Sequence, residues 1–175
     1  MRAGYITYFL EIAEEEQKHF ERLTIFLKEA DGPDGYLPYS DECIALEKAC
    51  IKIIVFLANY LEAYIWNFAA TYLGEKDAEK LEKLSTLDKW EIVPQLVFRK
   101  VIPIKANYIG TFKELIRERN KLMHHKTIDI YPYINKENPA HQFPKDLINI
   151  WERVRIKEYF ALANYLVIML EDKLS

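Results

Sequence analysis

ECIALEKACIKIIVFLANYLEAYIWNFAATYL, residues 42–73, is the stretch that decides the fold. Its apolar residues recur at spacings of three and four, which is the period of one face of an α-helix. The main apolar stripe, widened by neighbouring isoleucines and a leucine, comprises Leu46, Cys50, Ile53, Leu57, Tyr60, Tyr64 and Phe68. Only a narrow polar face remains, because few charged residues interrupt the pattern. A helix this apolar is typical of the central helix of a bundle.

The same helical period precedes this stretch. Residues 5–30 predict a helix whose apolar stripe is Phe9, Ile12, Phe20, Leu23 and Leu27. Glu16 interrupts the stripe, either because the buried part of the helix ends there or because the carboxylate pairs with an active-site cation. The glycine- and proline-rich sequence of residues 31–40 predicts a linker, in which Ser40 is a good N-cap for the central helix.

Downstream of Gly74, a plausible C-cap, the predicted elements are shorter. Residues 76–84 predict a charged helix, and Ser85 with Asp88 forms a capping box in which aspartate replaces the usual glutamate. Pro94 and Pro103 interrupt residues 94–106, which we leave unassigned.

A second capping box, Thr111 with Glu114, predicts the start of a fourth major helix. Residues 127–143 lack a helical period and predict a long loop, and a last helix should span residues 145–172. Together the segments predict an all-α, up-and-down bundle of about four long helices plus short ones. We expect one domain over residues 1–175, with the N-terminal helix (1–30) joined through the linker (31–40).

The composition excludes several classes of protein. Half of the 175 residues are hydrophobic, which excludes a disordered chain, and a net charge of −3 excludes a globally basic nucleic-acid binder. Cys43 and Cys50 are seven helical residues apart, about 10 Å, which is too far for a disulfide, so we expect reduced core thiols. The uncharged stretches 53–61 and 63–74 are too short to cross a bilayer. We therefore expect a soluble, cytoplasmic protein without a signal peptide or membrane contact.

One segment stands out chemically: RERNKLMHHK, residues 117–126. Between Lys113 and Lys126 there are five basic and two acidic side chains, a local excess of three positive charges in an acidic chain. Such a patch attracts a phosphodiester. Cations are also common near helix C-termini because they offset the helix dipole, so the cluster alone has a purely structural explanation.

The order Arg119-Asn120-x-x-x-His124 resembles the signature of the HEPN family, the nucleotide- and RNA-associated helical domains of prokaryotic toxins and defence systems. That signature is an arginine, a polar residue that is often asparagine, a short spacer and a histidine. The wider stretch 115–126, the Leu61-Glu62-Ala63-Tyr64-Ile65 segment and Leu84-Ser85 to Trp90 are also similar to what such proteins carry. The resemblance spans residues 43–172, but only the Arg-Asn-x-x-x-His element is specific.

The resemblance implies a metal-independent endoribonuclease, without a cofactor, that acts as a homodimer in which two motifs line one cleft. His124 would be the general base on a ribose 2′-hydroxyl, and attack on phosphorus would leave a 2′,3′-cyclic phosphate. Arg119 would stabilise the phosphoryl oxygens, and Asn120 would orient the phosphate or fix the helix end. The expected partners are single-stranded RNA and an antitoxin protein, in a toxin–antitoxin or phage-defence setting.

Further residues are weaker candidates for RNA contact: His125, Arg117, Lys121, Lys126 and Glu62. His125 could equally face solvent, and Glu62 could be an ordinary acid of the polar face. Tyr131 and Tyr133 could stack on bases or be surface tyrosines. Glu16-x-x-His19 has the spacing of half a di-iron site, but the second half is absent from the sequence, so we expect no metal.

Two other functions remain open. The chain could be an inactive HEPN-type module that binds RNA or nucleotide, or that only dimerises. It could also be a structural helical protein in which the Arg-Asn-x-x-x-His segment merely caps a helix. Arg119 and His124 are five residues apart, about 140° around a helix and 7.5 Å along it, so they do not share a face of an unbroken helix. Either the helix ends near Leu122 or the site is completed across a dimer.

Overall fold

Residues 42–73 do form the central helix. The computed structural model describes residues 4–29, 41–123 and 150–174, and within these ranges it is helical with no strand. The helices are α1 (Gly4–Glu29), α2 (Asp41–Leu73), α3 (Glu75–Lys80), α4 (Thr86–Phe98), α5 (Ala106–Met123), α6 (Ile150–Arg153) and α7 (Ile156–Glu171). Every other described helix packs against α2. The predicted all-α bundle is therefore confirmed.

The core follows the apolar stripe of α2. The stripe residues that are buried are Leu46, Cys50, Ile53, Leu57, Tyr60 and Phe68, whereas Tyr64 is partly exposed. Cys43 and Cys50 are both buried and neither forms a disulfide, as expected, and burial raises the pKa of the Cys50 thiol. Helix α2 ends at Leu73, where Gly74 adopts a φ of 89° that L-residues disfavour, and its N–H donates to the Ala70 carbonyl at 3.1 Å.

Helix α4 is held on α2 by Trp90. The Trp90 side chain is fully buried, its Nε1 donates to the Leu61 carbonyl at 3.1 Å, and its ring stacks on Tyr64 with a centroid distance of 5.9 Å. The helix begins as predicted, because the Ser85 hydroxyl accepts the Asp88 N–H at 3.2 Å and donates to the Asp88 carboxylate at 2.6 Å.

The expected interruption at Pro94 does not occur, since α4 continues through this residue to Phe98. Pro94 lacks an N–H and so removes one hydrogen bond of the helix, but it is buried in the same helix that Trp90 anchors. Tertiary packing therefore outweighs the local preference against proline. Arg99, in the left-handed region with φ of 52°, ends the helix instead.

The predicted capping box of Thr111 and Glu114 is wrong. Helix α5 begins five residues earlier, at Ala106, and Thr111 is buried in its interior. The predicted continuous helix 145–172 is also wrong within the described residues, because Val154 and Arg155 separate α6 from α7. Neither proline nor glycine marks this break in the sequence. Residues 145–149, the linker and the loop 127–143 lie outside the described residues.

Candidate functional site

An open groove of about 580 Å³ lies beside the second half of α5. We call it the α5 groove and define it by its lining: Ser85, Leu87, Lys113, Ile116, Arg117, Asn120 and Lys121. The α5 residues share one face, because they are separated by three or four positions. The N-cap of α4 forms the opposite side. Arg117, Asn120 and Lys121, all predicted site residues, are thus brought together.

The three cations of the groove form a continuous stripe. Lys113, Arg117 and Lys121 are four residues apart on α5, so the stripe is about 12 Å long. The side chains of Arg117 and Lys121 are 65% and 48% exposed, so their charges are accessible from solvent. This arrangement can attract an extended anion along the helix.

A buried carboxylate lies behind two of these cations. Glu118 is only 3% exposed, and its Oε1 accepts from Arg117 Nε at 3.3 Å and from Lys121 Nζ at 3.1 Å. These contacts limit the conformations of the Arg117 and Lys121 side chains. One negative charge against three positive charges still leaves the stripe net cationic. Because the Arg117 and Lys121 side chains are already ordered, less side-chain conformational entropy is lost when a ligand binds.

Arg119 and Asn120 contact each other directly. Arg119 Nη1 donates to Asn120 Oδ1 at 2.9 Å, and both residues are partly buried. A guanidinium has five N–H donors, so this bond leaves others available to phosphoryl oxygens. Asn120 lines the α5 groove, whereas Arg119 is not one of its lining residues and is linked to it through this hydrogen bond.

His124, which follows the last residue of α5 in the sequence, lies outside the described residues, as do His125 and Lys126. The loop tyrosines Tyr131 and Tyr133 lie outside them as well. Helix α5 reaches Met123, so Arg119 is followed by at least one more helical turn. The spatial relation of Arg119 to His124, whether within one chain or across a dimer, stays a prediction.

Glu62 belongs to a different surface. Its carboxylate accepts hydrogen bonds from Thr86 and from the buried Lys89, both on α4. It lines a separate cleft of about 550 Å³ over α2, whose other lining residues are Phe9, Asn59, Ala63, Trp66, Glu82 and Lys89. The two cavities share no lining residue. In the described chain, Glu62 therefore holds α4 against α2, and an RNA contact by Glu62 stays a prediction.

Glu16 does not pair with a cation of the α5 groove. Its Oε1 lies 2.6 Å from Lys52 Nζ on α2, and its side chain is 18% exposed. The interruption of the α1 stripe is therefore explained by an ion pair between α1 and α2. Within the described ranges no group of three or more histidine, cysteine or acidic side chains is arranged to hold a metal ion.

Helix α5 is held in place by a network to α7. Glu114 Oε1 accepts from the Tyr159 hydroxyl at 2.8 Å and from Arg155 Nε at 3.3 Å, and Arg155 also pairs with Glu158 at 2.6 Å. Burial alone would raise the pKa of Glu114, but the hydrogen bonds and the charges of Arg155 and Arg117 outweigh it and lower this pKa. Burial and the hydrogen bond to Glu114 raise the pKa of Tyr159.

This network predicts a specific dependence of stability on pH. Because the pKa of Glu114 is lower in the folded chain than the unfolded value of about 4.3, its ionisation stabilises the fold above that pH, and this is lost as pH falls through the folded pKa. Glu114→Gln should lower the free energy of unfolding at neutral pH by about 1–3 kcal/mol and flatten the decline below about pH 4.3. Urea titrations across this range measure both effects, and parallel pH profiles for the two proteins would contradict the assignment.

Part of the groove was not anticipated from the sequence. Lys113 belongs to the predicted basic cluster but not to the predicted contacts, and Ser85 is predicted as a helix cap within a segment of the family resemblance. Leu87 and Ile116, which supply apolar surface, belong to segments of the family resemblance but are not among the predicted site residues. The four-residue spacing of Lys113, Arg117 and Lys121 is the signal that could have found the stripe.

Comparison with known proteins identifies no relative: no family model matches the chain, and neither the curated proteins nor the solved structures contain a significant match. None of the described helices combines the length and the apolar character that crossing a membrane requires.

Proposed function

We propose that the chain is an endoribonuclease of the HEPN type, which cleaves single-stranded RNA without a metal ion. The observation that carries the proposal is the position of Asn120: it belongs to the Arg-Asn-x-x-x-His motif, contacts Arg119 and lines the α5 groove beside three cations. A phosphodiester attracted to the groove would therefore reach Asn120, whose side chain is hydrogen-bonded to Arg119.

The proposed chemistry divides between two side chains. The His124 imidazole takes the proton of a ribose 2′-hydroxyl, whose oxygen then attacks the adjacent phosphorus. The bond from phosphorus to the 5′-oxygen breaks, the leaving 5′-oxygen takes a proton from water, and a 2′,3′-cyclic phosphate remains. His124 then returns its proton to the solvent. Arg119 stabilises the negative charge on the phosphoryl oxygens of the transition state.

His124 is indispensable in this mechanism because the described lining of the groove offers no alternative base. Its polar side chains belong to lysine, arginine, asparagine and serine, none of which accepts a proton readily near neutral pH. The lining can bind and orient a phosphate but cannot perform the proton transfer.

A homodimer fits the proposed chemistry. Two-fold symmetry would bring two copies of Arg119 and His124 to one cleft and double the positive charge offered to a strand. As for other enzymes of this type, the setting we propose is a cytoplasmic toxin or phage-defence system, restrained by an antitoxin protein.

Cleavage of single-stranded RNA in EDTA tests the proposal. We expect purified protein to cut the RNA without added metal and to leave 2′,3′-cyclic phosphate ends, identified by mass spectrometry. Cleavage that requires a divalent cation, or products with 3′-hydroxyl ends, would overturn the mechanism. The absence of cleavage would overturn the nuclease.

The α5 groove also favours a second candidate, an inactive module that binds RNA or nucleotide. The described lining consists of residues that bind rather than react, so binding does not depend on His124. This candidate predicts RNA binding of equal strength in the wild type and in His124→Ala, with no cleavage by either protein.

A further inference from the structure

We infer that the α5 groove is an extended binding track for single-stranded RNA, in which Lys113, Arg117 and Lys121 contact successive stretches of the phosphate backbone. The inference rests on the proposed function for the choice of RNA as the ligand. It adds that the strand continues about two helical turns back from the motif, towards Lys113.

The first argument is the geometry of the charges. A site for one phosphate needs cations from only one short stretch of chain, whereas the backbone positions of these three residues extend over about 12 Å along one face of α5. A nucleic-acid backbone carries charges at regular intervals, so it can contact all three. Glu118 Oε1 holds Arg117 Nε and Lys121 Nζ close to each other, so Lys113 is the cation that extends the stripe towards the start of α5.

The second argument is the lining between and opposite the cations. Leu87 and Ile116 are partly buried and contribute apolar surface to the lining of the groove, which also includes Ser85 at the N-cap of α4. An apolar surface accommodates a base face, and this contact requires bases that are not already stacked in a duplex. The groove therefore suits a single strand.

Lys113 is the residue that tests the track. It is exposed, and no hydrogen bond or ion pair to it occurs within the described residues, so its replacement should not disturb the fold. It lies eleven positions before His124 in the sequence and has no place in the proposed chemistry. An RNA bound only at the motif would not reach it.

The experiment measures binding of a labelled, single-stranded RNA oligonucleotide to the His124→Ala protein in EDTA, over a range of salt concentrations. One phosphate contact contributes about 0.7 to the slope of log K against log salt for a single strand. Lys113→Gln should therefore reduce the slope by about 0.7 and weaken binding about fivefold at 0.1 M salt. Lys76→Gln, which removes an exposed charge from α3, is the matched control and should change neither value.

A larger set of variants tests the whole stripe. Replacing Lys113, Arg117 and Lys121 together by glutamine should reduce the slope by about 2, whereas the same change at Lys18, Lys48 and Lys76 should not. The triple variant at Lys113, Arg117 and Lys121 could unfold because Glu118 loses its contacts with Arg117 and Lys121. In that case the single variant Lys113→Gln tests the track.

The outcomes separate this inference from the proposed function. Equal salt slopes for Lys113→Gln and Lys76→Gln would overturn the track, as would duplex RNA that binds as tightly as the single strand. RNA binding with the expected slopes, but no cleavage by wild-type protein in EDTA, would support the track and overturn the nuclease. If Lys113→Gln changes neither cleavage nor binding, the result would support the nuclease and overturn the track.

Discussion

His124→Ala should lower the rate of metal-free RNA cleavage by about 10²- to 10⁴-fold, the contribution of a positioned general base. The expectation is large because no described side chain of the α5 groove can replace the imidazole as a proton acceptor near neutral pH. The effect is measured as the initial rate of cleavage of a single-stranded RNA in EDTA. The wild type and His124→Ala are compared at concentrations at which both proteins bind the same fraction of the RNA.

The matched control is His19→Ala, which removes a histidine from α1, a helix that does not line the α5 groove. It should retain the wild-type rate. Equal rates for His124→Ala and the wild type would remove His124 from the mechanism. A loss of several kcal/mol of stability in His124→Ala would instead indicate a structural role for the histidine.

Trp90→Ala should produce the largest loss of stability, about 3–5 kcal/mol in the free energy of unfolding. The side chain is fully buried between α4 and α2, where it stacks on Tyr64 and donates to the Leu61 carbonyl. Truncation removes these contacts and leaves a cavity in the middle of the bundle. Urea denaturation followed by circular dichroism measures the change.

Two further variants provide comparisons for the loss of stability in Trp90→Ala. Trp90→Phe keeps an aromatic ring but removes the indole N–H, so its cost should be intermediate. Tyr8→Ala removes a side chain that is 55% exposed on α1 and should change stability by about 0.5 kcal/mol or less. If Trp90→Ala cost no more than Tyr8→Ala, the interface of α2 and α4 would not stabilise the fold as described.

The sequence predicted the fold where the apolar period is long. Helices α1 and α2 begin and end within one or two residues of the expected positions, because their stripes have many turns and Gly74 marks the end of α2. Prediction was poorer where local signals compete with packing. Pro94 remains in a helix, and Thr111 with Glu114 has the pattern of a cap but lies in the middle of α5.

The candidate site was predicted in part for the same physical reason. Arg117, Asn120 and Lys121 are close in sequence and on one helix, so spacing alone predicts that they lie together. The opposite wall comes from Ser85 and Leu87 on α4, which only tertiary structure brings there. Likewise, the pairing of Glu62 with Lys89 joins residues 27 positions apart, which helical periodicity does not predict.

Cleavage of an RNA and of the same sequence methylated at every 2′-oxygen, compared in EDTA, tests the central claim most directly. The methylated strand keeps its phosphates for the α5 groove but has no 2′-hydroxyl to act as the nucleophile. We predict that both strands bind with similar affinity and that only the unmodified RNA is cut. Equal cleavage of both strands would contradict attack by the 2′-hydroxyl.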